Sequence, residues 1–298
     1  MRALSETGKE LIKMQGLIDH NTYAEKGLNT EHARNLYNTY KIYFGLGQSI
    51  SLIHSPNVFK VSLAGVRLGD YLVRSLDSSA SKKSFLDLGT GSGVHALLMR
   101  KLGNNDIIAT DISKKSIEHA KLNEHLNLKN NRIEFYTGDL FESLPKKQFQ
   151  TIVFNPPGWR TPSQALINKL NAADQASELP IQAMFCGEEV VSRFLEQLPE
   201  HLSIKGRAIV GLNSLIGIQD VLYRYGQKHK GAPPLSYKLI ERHTLPLIYY
   251  SNFWKSLEKN IIKEFEKWSN KNLAAYSIDK FGNIYWSYEI IEFYHRTT

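Results

Sequence analysis

The 298-residue chain has an ordinary globular composition, with 42% hydrophobic and 22% charged residues, which excludes disordered and collagen-like proteins. No run approaches the roughly 20 apolar residues of a membrane helix, and the start, MRALSETGKE, lacks the apolar stretch of a signal peptide. We therefore expect a soluble, cytoplasmic protein with no membrane partner. Its one cysteine, Cys186, excludes an internal disulfide and a cysteine zinc cluster, and no metal is expected.

The net charge of +8 is carried mainly by the two ends of the chain. Residues 1–82 carry +3, residues 83–211 carry +1 and residues 212–298 carry +4. Basic flanks attract nucleic acid or an acidic partner. A generally basic protein explains the same numbers equally well, because no block of five like charges occurs.

Residues 1–82 are predicted to form a helical cap. Apolar residues recur at helical spacing between Leu11 and Ile18, and again from Leu36 to Tyr43. A further helix is predicted from Gly65 to about Leu76. The SSASKK segment that follows, residues 78–83, is typical of a linker.

Residues 84–211 alternate between short apolar strands and helices. This pattern predicts a mainly parallel sheet covered by helices on both faces. The predicted strands are 84–89, 106–111, 132–139, 151–155 and 206–213, and the helices are Val94–Leu102, Lys114–Leu126 and Glu188–Leu202.

Residues 214–298 are predicted as a helical extension with closing strands. The helices are Gln219–Lys228 and Asn252–Asn270, and the second has apolar residues on one face. Two strands, Leu273–Ile278 and 283–295, are predicted to form a hairpin around Gly282.

The strongest local signal is FLDLGTGSG, residues 85–93, a strand followed at once by a glycine-rich turn. Glycines let the backbone turn sharply and approach a ligand closely. Asp111, at the end of the next strand, suits a ribose whose two hydroxyls donate to a carboxylate. Asp139 ends the third strand, where it suits the exocyclic amine of a purine. A nicotinamide or flavin site and an S-adenosylmethionine site both remain open at this point.

The fourth strand ends in Asn155-Pro156-Pro157-Gly158-Trp159. The amide oxygen of Asn155 can accept one hydrogen of a planar amine or amide, and the Pro156 carbonyl can accept a second. Proline restricts the backbone and offers no competing N–H. Holding both hydrogens aims the nitrogen lone pair at an electrophile such as a sulfonium methyl.

Together, FLDLGTGSG, ATDIS, TGDLFESLP and VFNPPGW resemble class I S-adenosylmethionine-dependent methyltransferases. The most similar group is the small-domain group, which includes release-factor glutamine methyltransferases and base-amine methyltransferases of rRNA and tRNA. The resemblance covers residues 57–213 and implies a Rossmann-like α/β methyltransferase fold. The N-terminal helical cap, 1–82, would then precede a methyltransferase domain, 83–298, that ends in an α+β extension, 214–298.

By position, the resemblance implies functional residues of three kinds. The cofactor S-adenosylmethionine, which leaves as S-adenosylhomocysteine, would be held by Asp87, Gly89, Thr90, Gly91, Gly93, Asp111, Ile112, Asp139, Leu140 and Asn155. The catalytic residues would be Asn155 and Pro156. The substrate-binding residues would be Pro157, Gly158, Trp159 and Arg67.

One departure from the family pattern concerns the acceptor. The residue after Pro-Pro is usually an aromatic that stacks on a planar substrate, whereas here it is Gly158. Either Trp159, the next residue, swings in to take that role, or the pocket is open to a bulkier, non-planar substrate. The resemblance implies N-methylation of an RNA base or a protein side chain. A small-molecule methyltransferase, a nicotinamide-dependent oxidoreductase and a non-catalytic binding protein are the alternatives.

Overall fold

The computed structural model describes residues 20–22, 39–75, 83–128, 130, 132–173, 181–249 and 252–296. The helix predicted between Leu11 and Ile18 lies outside these residues. The chain forms two compact units, residues 1–145 and 146–298. In the part of the chain that the structure describes, no helix is both long and apolar enough to cross a membrane.

The first unit combines an antiparallel sheet with a parallel one. Strands β1, β2 and β3 pair in that order, and β4, β5 and β6 form a parallel ladder with β5 in the middle. Its elements are β1 (His20–Thr22), β2 (Thr39–Tyr43), β3 (Ser49–Ile53), α1 (Leu63–Ser75), β4 (Phe85–Leu88), α2 (Val94–Lys101), β5 (Ile107–Asp111), α3 (Lys114–Asn127) and β6 (Glu134–Thr137).

The helix predicted over Leu36–Tyr43 is wrong from residue 39 onward, where the chain forms β2. The tyrosines at 37, 40 and 43 have helical spacing, but burial follows a period of two through Tyr40, Ile42 and Phe44. That is the period of a half-buried strand. The helix predicted from Gly65 is confirmed as α1.

Two asparagines of α3 attach β3 to the helical layer of the first unit. Oδ1 of Asn123 accepts from the Ile53 amide at 2.9 Å, and its Nδ2 donates to the Ser92 carbonyl at 2.9 Å. Asn127 bonds both the amide and the carbonyl of Ser51. Asn123 therefore links the β2–β3 hairpin to the glycine-rich turn that contains Ser92.

The second unit holds a mixed sheet. β7 and β8 run parallel, while β11 is antiparallel to β8, β9 and β10. Its elements are β7 (Phe149–Phe154), α4 (Gln164–Ala173), α5 (Gly187–His201), β8 (Leu202–Asn213), α6 (Ile218–Lys228), β9 (Leu235–Pro246), α7 (Asn252–Ser256), α8 (Glu258–Ser269), β10 (Tyr276–Ile278) and β11 (Ile284–His295), with 3-10 turns at Ile181–Met184 and Ser214–Ile216.

Most predicted elements of the second unit are confirmed, with two differences. The single helix predicted over Asn252–Asn270 is wrong, because the chain breaks at Leu257 into α7 and α8. Its apolar stripe still faces the core, with Trp254, Ile261 and Phe265 buried. The second difference is that α4 and β9 were not predicted. The α/β class itself is confirmed.

Candidate active site

The glycine-rich turn after β4 has the backbone that only glycine adopts without strain. Gly89, Gly91 and Gly93 all have positive φ, at 64°, 55° and 83°. A Cβ on Gly93 would lie 3.0 Å from the Ala120 Cβ, so that glycine allows helix packing. A Cβ on Gly91 would meet nothing within 4 Å. The Gly91 backbone is therefore open to a ligand.

Asp87, in β4, stabilises the glycine-rich turn through hydrogen bonds to its side chain. Its Oδ2 accepts from the Thr90 hydroxyl at 2.6 Å and from the Ala96 amide, in the first turn of α2, at 3.0 Å. The side chain is buried, and this burial raises the pKa of its carboxyl, an effect opposed by nearby His95 and by the two hydrogen bonds. Asp87 thus fixes the shape of the turn.

Asp111 lies beside the same turn. Its Oδ2 accepts from the Gly91 amide at 2.9 Å, and its Oδ1 accepts from the Ser113 amide at 2.8 Å. Burial raises the pKa of the Asp111 carboxyl, and these two bonds oppose the rise. Because each carboxylate oxygen has two lone pairs, both retain an acceptor position for a ligand hydroxyl. The structure brings Asp111 and Gly91, two of the predicted cofactor residues, into direct contact.

The other predicted cofactor residues border this turn or β6. The side chain of Ile112, directly after Asp111, is 68% exposed and so presents free apolar surface. The Gly138 amide donates to the Asp111 carbonyl at 3.0 Å, which brings the chain before Asp139 next to Asp111. Leu140 is buried and has a positive φ of 49°. Arg67, predicted to bind substrate, pairs with Asp70 of its own helix at 3.4 Å.

These residues fit S-adenosylmethionine. The open Gly91 backbone leaves room for the amino-acid part of the cofactor, and the Asp111 carboxylate matches a ribose diol. The exposed Ile112 side chain provides an apolar surface for a planar base.

Asn155 directly follows β7 in the second unit, and its amide is held. The phenol of Tyr288, in β11, donates to Oδ1 of Asn155 at 2.9 Å. The alternating aromatic residues of this strand indicate packing, with a wall of the substrate pocket as the alternative. No local pattern could identify the contact between Tyr288 and Asn155, because 133 positions separate the two residues. The only feature of the sequence that points to Tyr288 is that it is an aromatic residue within a predicted strand.

The segment that begins at Asn155 and ends at residue 163 is called here the acceptor loop. The loop is fixed by main-chain bonds: the Trp159 amide donates to the Met184 carbonyl at 3.0 Å, and the Trp159 carbonyl accepts from Gly187 at 2.9 Å. The Trp159 ring is only 4% exposed and packs edge-on against Trp254 and Phe265. The expectation that Trp159 swings in to stack on a substrate is therefore corrected. This tryptophan lies in the core of the second unit.

Gly158 stands where the family pattern has an aromatic residue. A Cβ at this position would come within 2.9 Å of the Asn213 Nδ2. Asn213 is itself fixed, because its Oδ1 accepts from the Leu215 amide at 2.9 Å. The space beside Gly158 is thus taken by an amide side chain, and a larger residue would displace it.

Charged residues anchor the far end of the acceptor loop. Arg160 lies 2.9 Å from Asp220 and donates to the Ile216 carbonyl at 3.0 Å. Buried Glu264 accepts from the amide and from the hydroxyl of Ser163. Both ends of the acceptor loop are therefore held by residues from 214–298.

Comparison with known proteins places these motifs in a family. The model of the methyltransferase small domain matches residues 49–174. A Methanocaldococcus jannaschii protein described as a protein N5-glutamine methyltransferase is 30% identical over 176 residues, or 59% of this chain and 82% of that protein.

Two bacterial relatives match over shorter stretches. The release factor glutamine methyltransferase of Rhodopirellula baltica is 32% identical over 49% of this chain. The tRNA1(Val) (adenine(37)-N6)-methyltransferase of Phocaeicola vulgatus is 32% identical over 39% of this chain. The chain spans only 50% and 47% of their respective lengths.

A solved structure described as a methyltransferase complexed with SAH shares the fold. It is 14% identical, with a TM-score of 0.52 over 90% of this chain and 58% of that one. This likeness confirms the Rossmann-like methyltransferase fold expected from the sequence. The family model and the archaeal relative show that the chain belongs to the small-domain family of S-adenosylmethionine-dependent methyltransferases.

Proposed function

We propose that this chain transfers the methyl group of S-adenosylmethionine to an amine or amide nitrogen of a macromolecule, either a protein side chain or an RNA base. The observation that carries the proposal is the Asn155-Pro156-Pro157 sequence at the end of β7, with the Asn155 amide held by a hydrogen bond. Two acceptor oxygens, Oδ1 of the held Asn155 amide and the carbonyl of Pro156, suit a nitrogen that carries two hydrogens.

The cofactor residues of the proposal are those around the glycine-rich turn. When bound, S-adenosylmethionine supplies a methyl group already activated on a sulfonium. Gly89, Thr90, Gly91 and Gly93 would hold its amino-acid part, with Asp87 shaping their turn. The ribose would be held by Asp111, and the adenine by Ile112, Asp139 and Leu140.

Asn155 and Pro156 would act on the acceptor. By accepting both hydrogens of the nitrogen, they direct its lone pair outward, so that catalysis comes mainly from orientation. A strong base is unnecessary, because the acceptor nitrogen becomes far more acidic once it has been methylated and loses a proton to water. Pro157 and Gly158 would line the acceptor side of the loop.

A macromolecular substrate is supported by the relatives, whose names specify protein glutamine and tRNA adenine. The basic residues of the chain, which bring its net charge to +8, also favour an acidic partner such as RNA. A small metabolite is the second candidate. It is favoured by Gly158, because this glycine stands in place of the family's stacking aromatic residue and has the Asn213 amide beside it. The cytoplasm is the proposed compartment, in agreement with the single cysteine.

The test is methyl transfer from labelled S-adenosylmethionine into a cell extract, with and without the protein. The products are separated into acid-precipitable and soluble fractions, and the precipitate is treated with nuclease or protease. We expect label in the precipitate, released by one of the two treatments. Label found only in the soluble fraction would replace the macromolecular substrate with a small molecule.

A further inference from the structure

Tyr288 is a buried side chain in a strand that the family motifs do not include. Its side chain is 1% exposed, and its hydroxyl lies 2.9 Å from Oδ1 of Asn155. A buried phenol ordinarily finds a hydrogen-bond partner, because leaving it unpaired is costly. Among the described residues, the partner that the structure gives this phenol is Asn155.

The neighbouring strand leaves space for this contact. In the register of β11 on β8, Tyr288 lies opposite Asn213 and Ile290 lies opposite Gly211. The Tyr288 ring leans over Gly211, where a Cβ would lie only 1.7 Å from the hydroxyl oxygen. Any other residue at 211 would push the phenol away. Because residue 211 is glycine, the Tyr288 side chain can extend from β11 across β8 to the end of β7.

We propose that Tyr288 is a positioning residue for the acceptor site: its phenol fixes the Asn155 amide so that Oδ1 keeps one lone pair for the acceptor nitrogen. This inference rests on the proposed function. An unrestrained asparagine amide rotates and presents either its oxygen or its NH2 group, and only the oxygen can accept a hydrogen from the substrate. The Tyr288 hydroxyl donates its hydrogen to Oδ1. It therefore stabilises the amide orientation in which the oxygen, and not the NH2 group, lies at this position.

The phenol stays a donor at working pH. Burial raises the pKa of the Tyr288 hydroxyl far above its ordinary value of 10.0, so the group remains neutral. The neutral phenol can therefore donate to Asn155 at neutral pH.

The first test compares Tyr288→Phe with Tyr285→Phe. Tyr285 lies in the same strand, and its hydroxyl bonds Asp279 near the hairpin turn. Initial rates of label transfer from S-adenosylmethionine into the extract precipitate are measured, together with the Kd of S-adenosylhomocysteine. We expect Tyr288→Phe to lower the rate about ten- to a hundredfold with an unchanged Kd, while Tyr285→Phe matches the wild type. Equal rates for both variants would overturn the positioning role.

The second test needs no acceptor. Melting temperatures are measured for Asn155→Ala, Tyr288→Phe and the double variant. In Asn155→Ala the buried phenol loses its acceptor, so adding Tyr288→Phe should raise the melting temperature rather than lower it further. Additive losses would show that Tyr288 does not hold Asn155. If the wild-type protein labels no macromolecule, the proposed function fails, whereas this cycle still decides whether Tyr288 holds the amide.

Discussion

Glu264 of α8 accepts two hydrogen bonds from Ser163, one from its amide and one from its hydroxyl, both at 2.8 Å. The two residues are 101 positions apart, and Glu264 is buried. The segment after the small-domain match therefore holds the end of the acceptor loop. Its helix α8 contributes to the geometry of the site as well as to the core.

Replacing this carboxylate should loosen the acceptor loop. Glu264→Ala leaves the amide and the hydroxyl of Ser163 without their acceptor, which costs about 2–3 kcal/mol of unfolding free energy. Glu266→Ala removes an exposed glutamate from the same helix and serves as the control. Urea denaturation should show a clear loss only for Glu264→Ala. Equal stability of the two variants would mean that the Ser163 contact contributes nothing.

The open backbone of Gly91 should be needed for the cofactor more than for the fold. Gly91→Ala and Gly103→Ala both place a Cβ at positive φ with nothing within 4 Å, so each should cost about 1 kcal/mol in strain. Only Gly91→Ala puts a methyl group into the turn beside Asp111. Calorimetric titration with S-adenosylhomocysteine should show at least about a tenfold weaker Kd for Gly91→Ala alone. The same Kd in both variants would argue against a cofactor at this turn.

Cofactor affinity should fall as the solution is acidified, beginning at a higher pH than the ordinary pKa of an aspartate would allow. Because burial raises the pKa of Asp111 above its ordinary value of 3.8, the carboxylate takes up a proton at a higher pH than a free aspartate does. Only the ionised form offers both oxygens to a ribose. The affinity for the cofactor is therefore highest when the pH is above the pKa of Asp111, and it decreases as the pH falls through that pKa.

Titrations with S-adenosylhomocysteine at successively lower pH, down to the pH at which the protein begins to unfold, check the predicted direction of this change. The wild-type Kd should rise as the pH falls. Asp111→Asn should bind more weakly at pH 7 and show a flatter dependence, because it has no carboxyl to titrate. A wild-type Kd that stays constant while the protein remains folded would contradict the role of Asp111.

Local patterns in the sequence were sufficient for the elements that carry the family motifs. The FLDL run predicts β4, and the helix predicted from Lys114 is confirmed as α3, which Ser113 caps by accepting from the Ser116 amide at 3.2 Å. The α/β class follows from the alternation of such elements. β9 could not be predicted this way, because its middle residues are mostly charged and partly exposed and pair only with β11 among the described strands.

Contacts between distant segments of the chain could not be predicted from the sequence, for a different reason. The bond between Tyr288 and Asn155 depends on the register of β11 on β8, which the sequence does not reveal. The burial of Trp159 likewise depends on Trp254 and Phe265, almost 100 residues later. Neighbouring residues alone therefore suggested a mobile tryptophan, whereas the long-range aromatic contacts place it in the core.

The central claim is that Asn155 orients the acceptor nitrogen. The most direct measurement is label transfer from S-adenosylmethionine into the extract precipitate by Asn155→Ala, with Asn168→Ala, a change on α4, as the control. We predict that Asn155→Ala loses about 100-fold or more of the rate while its Kd for S-adenosylhomocysteine stays within about twofold of the wild type, and that Asn168→Ala keeps full activity. A wild-type rate for Asn155→Ala would contradict the account.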